Sequence, residues 1–148
     1  DRMPQVIAGV MDKVADMTVF LNPTDGSYLR LGGDKAPGYI TWSSENRSQL
    51  IRIPAASGEF RRAELRSPDP GANPYIAFTL MISAGMYGVD KLLALPPSTD
   101  VNLYAADEGA LAQLRRLPAT RREAQSLARS SEFIKNTLPA ELLELYCG

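Results

Sequence analysis

Residues 73–93, NPYIAFTLMISAGMYGVDKLL, constrain this chain most. Asn73 has the side chain of a helix N-cap, and Pro74 suits the first helical position. The helix that follows is apolar nearly all round, so it has no polar face to offer water and is expected to be buried. Gly85 and Gly88 interrupt it, and it falls short of the roughly 20 apolar residues that span a membrane. A chain of 148 residues is long enough to enclose such a helix in one domain with a real core.

The flanking segments follow from spacing and turn chemistry. Val6, Ile7, Val10, Met11 and Val14 recur at helical intervals with Asp12, Lys13 and Asp16 opposite, predicting a helix over 4–19. Residues 22–39 are rich in Asn, Pro, Gly and Asp and read as a long irregular loop, a kind usually functional. YITW, QLIRIP and FRRAELR read as three strands, and their short connections predict antiparallel pairing. Residues 94–107 form a loop. Residues 108–117 and 122–136 read as amphipathic helices, the second opened by a capping box from Thr120 to Glu123. Residues 139–146 close with a short helix that starts at Pro139. The whole is α+β: a small antiparallel sheet followed by a mostly helical C-terminal segment. The pattern begins inside one helix and ends just after another, as expected of a piece of a larger protein.

Composition removes several classes of function. The net charge is −1, which gives no bulk attraction to nucleic acid. The absence of histidine excludes Ser-His-Asp and Cys-His catalysis and histidine-ligated zinc within these residues. The single cysteine, Cys147, forms no internal disulfide, which fits a reducing compartment; we expect an exposed thiol without a role. The N-terminal residues lack the layout of a signal peptide. Trp42 is expected in the core.

The positive charge is concentrated. Arg47, Arg52, Arg61, Arg62 and Arg66 share one window, with Arg30 just before it. Arg115, Arg116, Arg121 and Arg122 make a second cluster, read as the solvated face of a helix. Side chains alternate across a strand, with same-face neighbours about 6.8 Å apart, so Arg62, Glu64 and Arg66 form a row of plus, minus and plus. Arg52 joins that row if the hairpin pairs in the simplest register, and Arg47 sits at its end. Such a row suits a small anionic ligand with several charge centres, because each guanidinium offers two parallel donors to a phosphate or carboxylate. Glu64 is a hard-cation ligand, although one carboxylate alone makes a poor magnesium site. The same alternation also serves a plain solvated face with cross-strand ion pairs.

Read together, the motifs NPTDGSYLRL, KAP, ENRSQLIRIP, RRAELRSPDPGANPY and GMYGVDKLL occur in one order at close spacing. In this the chain resembles the C-terminal part of the catalytic domain of glutamine synthetase, type I bacterial branch, most clearly from Val6 to Tyr104. The resemblance implies an ATP-dependent ligase that forms γ-glutamyl phosphate and then glutamine from ammonia, with Mg²⁺ or Mn²⁺, in a cytoplasmic homo-oligomeric ring. It implies glutamate binding by Arg30, Arg47 and Arg66, and ATP phosphate binding by Arg47, Arg52 and Arg62. Glu64 is implied as a metal ligand. No nucleic-acid or membrane partner is implied.

Three departures accompany the resemblance. Lys35 stands where the family's mobile loop carries a catalytic glutamate, unless Asp34 substitutes after a one-residue shift. A lysine neither attracts ammonium nor accepts its proton, so the catalytic residue is left unassigned. Glu59 stands where some members have a nucleotide-contacting lysine. The family's other metal carboxylates and its metal-binding histidine are not in this chain, so residues 1–148 alone are expected to be inactive. Tyr104 resembles a tyrosine that some members have adenylylated, but Val101 replaces a usual basic residue, and an ordinary loop tyrosine is the preferred reading. Two further readings stand beside this one: a glutamate ligase for another amine such as a polyamine, suggested by Lys35, and a non-catalytic assembly or nucleotide-sensing module.

Overall fold

Two long helices cross where glycines let their backbones touch. The computed structural model describes residues 1–33 and 35–148; Asp34 and the side chain of Phe60 are outside that description. Helix α1 spans Met3–Leu21 and α3 spans Pro74–Asp90. A β-carbon on Gly9 would lie 2.1 Å from the Ala84 carbonyl oxygen, so only glycine fits there. The apolar face foreseen for α1 is buried at Ile7, Val10, Met11 and Val14, and burial continues on through Met17 to Leu21. Met17, Phe20, Leu50 and Leu80 are fully enclosed and form the heart of the core.

Helix α3 starts as its sequence predicts: Asn73 Oδ1 accepts from the backbone N–H groups of Tyr75 (2.9 Å) and Ile76 (3.4 Å). Its burial is one-sided, however. Ile76, Ala77, Leu80, Ala84 and Gly88 pack inward. Tyr75, Phe78, Ile82 and Met86 are 83, 61, 66 and 51% exposed and form a continuous apolar stripe. The expectation of an enclosed helix is corrected: α1 covers one side of α3, and no other described residues cover the opposite one.

The predicted loop 22–39 contains a helix, α2, Asp25–Arg30. Its cause is local. Thr24 and Ser27 cap each other's backbone N–H groups in a capping box, which outweighs the turn-forming composition around them.

The sheet has three short strands in the order β1 (Trp42–Ser44), β2 (Ile51–Ile53) and β3 (Glu64–Leu65). The α+β class stands, and β2 pairs with β3 antiparallel as expected. β1 departs from expectation: it starts three residues later than Tyr39 and runs parallel to β2. Parallel neighbours usually need a connection of about a dozen residues. Here residues 45–50 suffice, because Glu45 takes a left-handed conformation (φ 73°) and the chain reverses twice. Strand β3 is shorter than FRRAELR; a 3₁₀ turn occupies Gly58–Phe60 and leaves Arg62 outside the strand.

The register sorts the faces. Trp42, Ile51 and Leu65 lie across from one another and pack against the core; Ser43, Arg52 and Glu64 form the neighbouring row on the other face. Trp42 is only half-buried at the core's edge, with Nε1 donating to the Pro96 carbonyl (2.7 Å). Leu50 and Ile51 are both buried, so the strict alternation expected of this strand begins only at Ile51.

The C-terminal region is more broken than its periodicity suggests. α4 covers only Glu108–Leu111. The basic segment after it is not helical: Ile40 N–H donates to the Arg115 carbonyl (2.8 Å) and Leu117 N–H to that of Gly38 (2.9 Å). Satisfying these two backbones against each other wins over a helix with few apolar anchors. The predicted helix 122–136 is two helices, α5 (Arg121–Ser130) and α6 (Glu132–Thr137). Ser131 separates them, and its hydroxyl accepts from Ile134 N–H as the cap of α6. Thr120 caps α5 through Glu123 N–H, as foreseen, while the Glu123 carboxylate reaches back to Ala119 N–H. α7, Ala140–Cys147, ends the chain with Cys147 buried at 1% exposure, not exposed as expected. Among the described residues no helix is long and apolar enough to cross a membrane.

Candidate functional site

The antiparallel register of β2 and β3 places Arg52 directly across from Glu64. Their side chains meet in two contacts. Arg52 Nη2 donates to Glu64 Oε1 at 3.2 Å, and Arg52 Nε lies 3.1 Å from Oε2 as an ion pair without hydrogen-bond alignment. Arg62 Nη2 approaches the same Oε1 at 3.6 Å from the chain just before β3. Two guanidiniums therefore flank one carboxylate, leaving local charge of one sign in excess. Arg52 is mostly covered and Arg62 mostly exposed, with side chains 16 and 56% accessible. The inner arginine is held in place, and the outer one is free to meet a solute.

Arg66 continues the row. Its Nη2 donates to the Lys35 carbonyl at 3.3 Å, tying the end of the strand segment to the loop that follows α2. Lys35 is thus adjacent to the arginine row through its backbone, with its side chain exposed. The alternative placement of a loop carboxylate at Asp34 is outside the described residues.

Arg30 is the least free of the site candidates. Its Nη2 donates to Asn22 Oδ1 (3.0 Å) and to the Ser67 carbonyl, and its Nε lies 3.9 Å from Asp69. It braces the chain just past Arg66 against the end of α1, and Asp69 N–H in turn donates to the Leu21 carbonyl (2.8 Å). Asn22 is fully buried in this brace. Arg47 lies in the turn between β1 and β2 with its side chain exposed; its backbone carbonyl accepts from the Tyr104 hydroxyl at 3.4 Å.

The structure thus brings Arg52, Glu64 and Arg62 into one contact group and sets Arg66 beside it. Arg30 is joined to that group through Ser67, and Arg47 stands at the far end of the sheet connection. Sequence reasoning missed the residues that hold these arginines, namely Asn22, Ser67 and the polar run Asn46–Gln49. The sequence offered only composition for the last: Asn46, Ser48 and Gln49, three hydrogen-bonding side chains, surround one arginine in ENRSQ.

A metal ion fits poorly with these residues alone. Among the described residues no three His, Cys, Asp or Glu side chains come close enough to hold one. Glu64 is already shared by two guanidiniums, which oppose a cation at that carboxylate. The demonstrable work of Glu64 within this chain is to hold Arg52 and Arg62.

Comparison with known proteins extends this. Residues 1–148 match the family model described as glutamine synthetase, catalytic domain. The chain is 40% identical over 143 residues to a protein named glutamine synthetase from Methanosarcina mazei, covering 95% of this chain and 32% of that protein. It is 43% identical over 135 residues to one of the same name from Thermus thermophilus, covering 89% and 30%. A solved structure titled "GmaS/ADP complex-Conformation 1" superposes with a TM-score of 0.83 at 26% identity, over 98% of this chain and 35% of that one. The chain spans about a third of the length of these relatives.

Proposed function

Because the chain belongs to the glutamine synthetase catalytic-domain family, we propose that it supplies the arginine-rich, C-terminal part of a site that ligates ammonia to glutamate. ATP drives the reaction. The γ-carboxylate of glutamate attacks the γ-phosphorus of ATP and displaces ADP. Ammonia then attacks the acyl phosphate carbon; inorganic phosphate leaves, the nitrogen loses a proton, and glutamine results.

The observation that carries this reading is the Arg52–Glu64–Arg62 group, positioned by opposed residues of β2 and β3. Phosphoryl transfer asks a protein mainly for positioning and for neutralisation of charge on the phosphate oxygens. Arg52 and Arg62 serve the ATP phosphates, the first rigidly and the second by swinging from Glu64. Arg47 serves both nucleotide phosphate and glutamate. Arg66 and the remaining N–H groups of Arg30 hold the glutamate carboxylate. Divalent metal, implied by the family, would neutralise phosphate charge when bound. Glu64 would hold it only together with donors from outside residues 1–148. The reading places the full protein in the cytoplasm as a homo-oligomeric ring.

The test is glutamine formation by the full-length protein from glutamate, ATP and ammonia, with polyamines as competing amines, for the wild type and Arg52→Ala. We expect glutamine with ammonia and a loss of at least about a hundredfold in Arg52→Ala. Turnover with a polyamine alone would transfer the reading to another amine. Absence of ATP binding would leave an assembly module.

A further inference from the structure

The turn that carries Arg47 is clamped by a loop more than fifty residues away. Asn46 Oδ1 accepts from Ser48 N–H (2.9 Å) and from the Ser48 hydroxyl (2.8 Å). Asn46 Nδ2 donates to the Val101 carbonyl at 3.0 Å. Gln49, fully buried, donates through Nε2 to the same carbonyl at 2.9 Å. Leu103 N–H donates back to Ser48 Oγ at 2.9 Å. Both lone pairs of one carbonyl are therefore engaged, and the Ser48 hydroxyl donates to one residue while accepting from another. Further along, Thr99 N–H donates to the Trp42 carbonyl (2.9 Å), so the loop also lies along the edge of β1.

Within Asn46–Gln49, Arg47 alone keeps its side chain out of this web. Its backbone is fixed on both sides while its guanidinium stands exposed. Buried polar groups with these partners are costly to break, because an unpaired carbonyl or amide is left behind. Such an arrangement presents a cation in one place instead of letting it sample many, and preorganisation of this kind raises affinity without adding a contact.

We infer that Asn46, Ser48 and Gln49 are positioning residues that hold Arg47 for its ligand by clamping the Val101–Leu103 backbone. The inference rests on the reading of Arg47 as a nucleotide-phosphate contact.

The experiment is a double-mutant cycle in the full-length protein, with MgATP affinity read by calorimetry for wild type, Ser48→Ala, Arg47→Ala and the double variant. Amide exchange at Leu103 is followed in parallel. Ser48→Ala is expected to speed Leu103 exchange and to weaken MgATP binding about tenfold, with little further effect once Arg47 is already alanine. Should Ser48→Ala not fold, Asn46→Ala, at a half-buried position, replaces it in the cycle. If Arg47→Ala weakens binding and the clamp variant leaves it unchanged, or weakens it equally in both backgrounds, the inference is overturned alone. If Arg47→Ala itself leaves MgATP affinity unchanged, the functional reading of Arg47 fails, and the inference with it.

Discussion

Gly88 lies against Gly9 with no room for a side chain: a β-carbon on Gly88 would sit 2.0 Å from the Gln5 carbonyl oxygen and 2.7 Å from Gly9 Cα. The atoms in the way belong to backbone, so they move only if the helices separate. Gly88→Ala is therefore expected to destabilise the fold by about 3 kcal/mol or more, although alanine favours an isolated helix. Urea unfolding measures this, and a neutral or stabilising result would show that α1 and α3 do not cross as described.

The Arg52–Glu64 pair is partly buried and doubly contacted, whereas Arg62 is mostly exposed. Removing the carboxylate with Glu64→Gln leaves Arg52 without its charge partner, at an expected cost of about 1–3 kcal/mol. Arg62→Ala should cost under about 1 kcal/mol and lose its effect in high salt. Equal costs for the two substitutions in thermal unfolding would contradict the different roles assigned to the inner and outer arginines.

Alkaline pH should weaken the protein. Burial pushes the Cys147 thiol above its ordinary value of 9.0, with Arg129 and Arg121 opposing. Burial likewise raises the Tyr28 hydroxyl above 10.0, with Arg121 opposing. Each group holds its proton more tightly when folded, so its contribution is full below the unfolded-state value and is lost as pH rises through the folded one. Stability should fall from about pH 9 upward, first through Cys147, and Cys147→Ser should flatten the first part of that fall. The buried thiol should also react slowly with thiol reagents until the chain unfolds.

The exposed stripe on α3 is the remaining liability. Tyr75, Phe78, Ile82 and Met86 present apolar surface continuous with a groove of about 350 Å³ bordered by Val6, Leu65 and Met81. For residues 1–148 in isolation, Phe78→Ser with Ile82→Ser should lower apolar-dye fluorescence and concentration-dependent light scattering. Melting temperature should change little, since neither residue belongs to the buried core. A monomer at all concentrations before substitution would count against the prediction.

Several elements were legible because their causes are local. Asn73 before Pro74 and Thr120 before Glu123 announce two helix starts, and both caps are in place. The Arg52–Glu64 contact follows from alternation and the antiparallel pairing of adjacent strands. The same kind of signal was present but outweighed at Thr24–Ser27, where turn-rich composition hid a capped helix, and at Ser131, where continuous periodicity hid a break.

Other features have no local cause. The parallel run of β1 beside β2 depends on a left-handed Glu45 and on side chains that bond across 52 to 55 residues. A hydrogen bond between Gln49 and the Val101 carbonyl leaves no periodicity for a reader to find.

By itself the sequence determined the α+β class, the helix starts at Asn73 and Thr120 and the charged row of Arg52, Glu64, Arg62 and Arg66, because propensity, capping and alternation act between near neighbours. Only the tertiary structure decided that α3 is covered on one face, that Arg30 braces Ser67 and that Arg47 is held by a distant loop. Those outcomes depend on which buried polar groups find partners when the chain closes, and that is settled by packing across the whole fold.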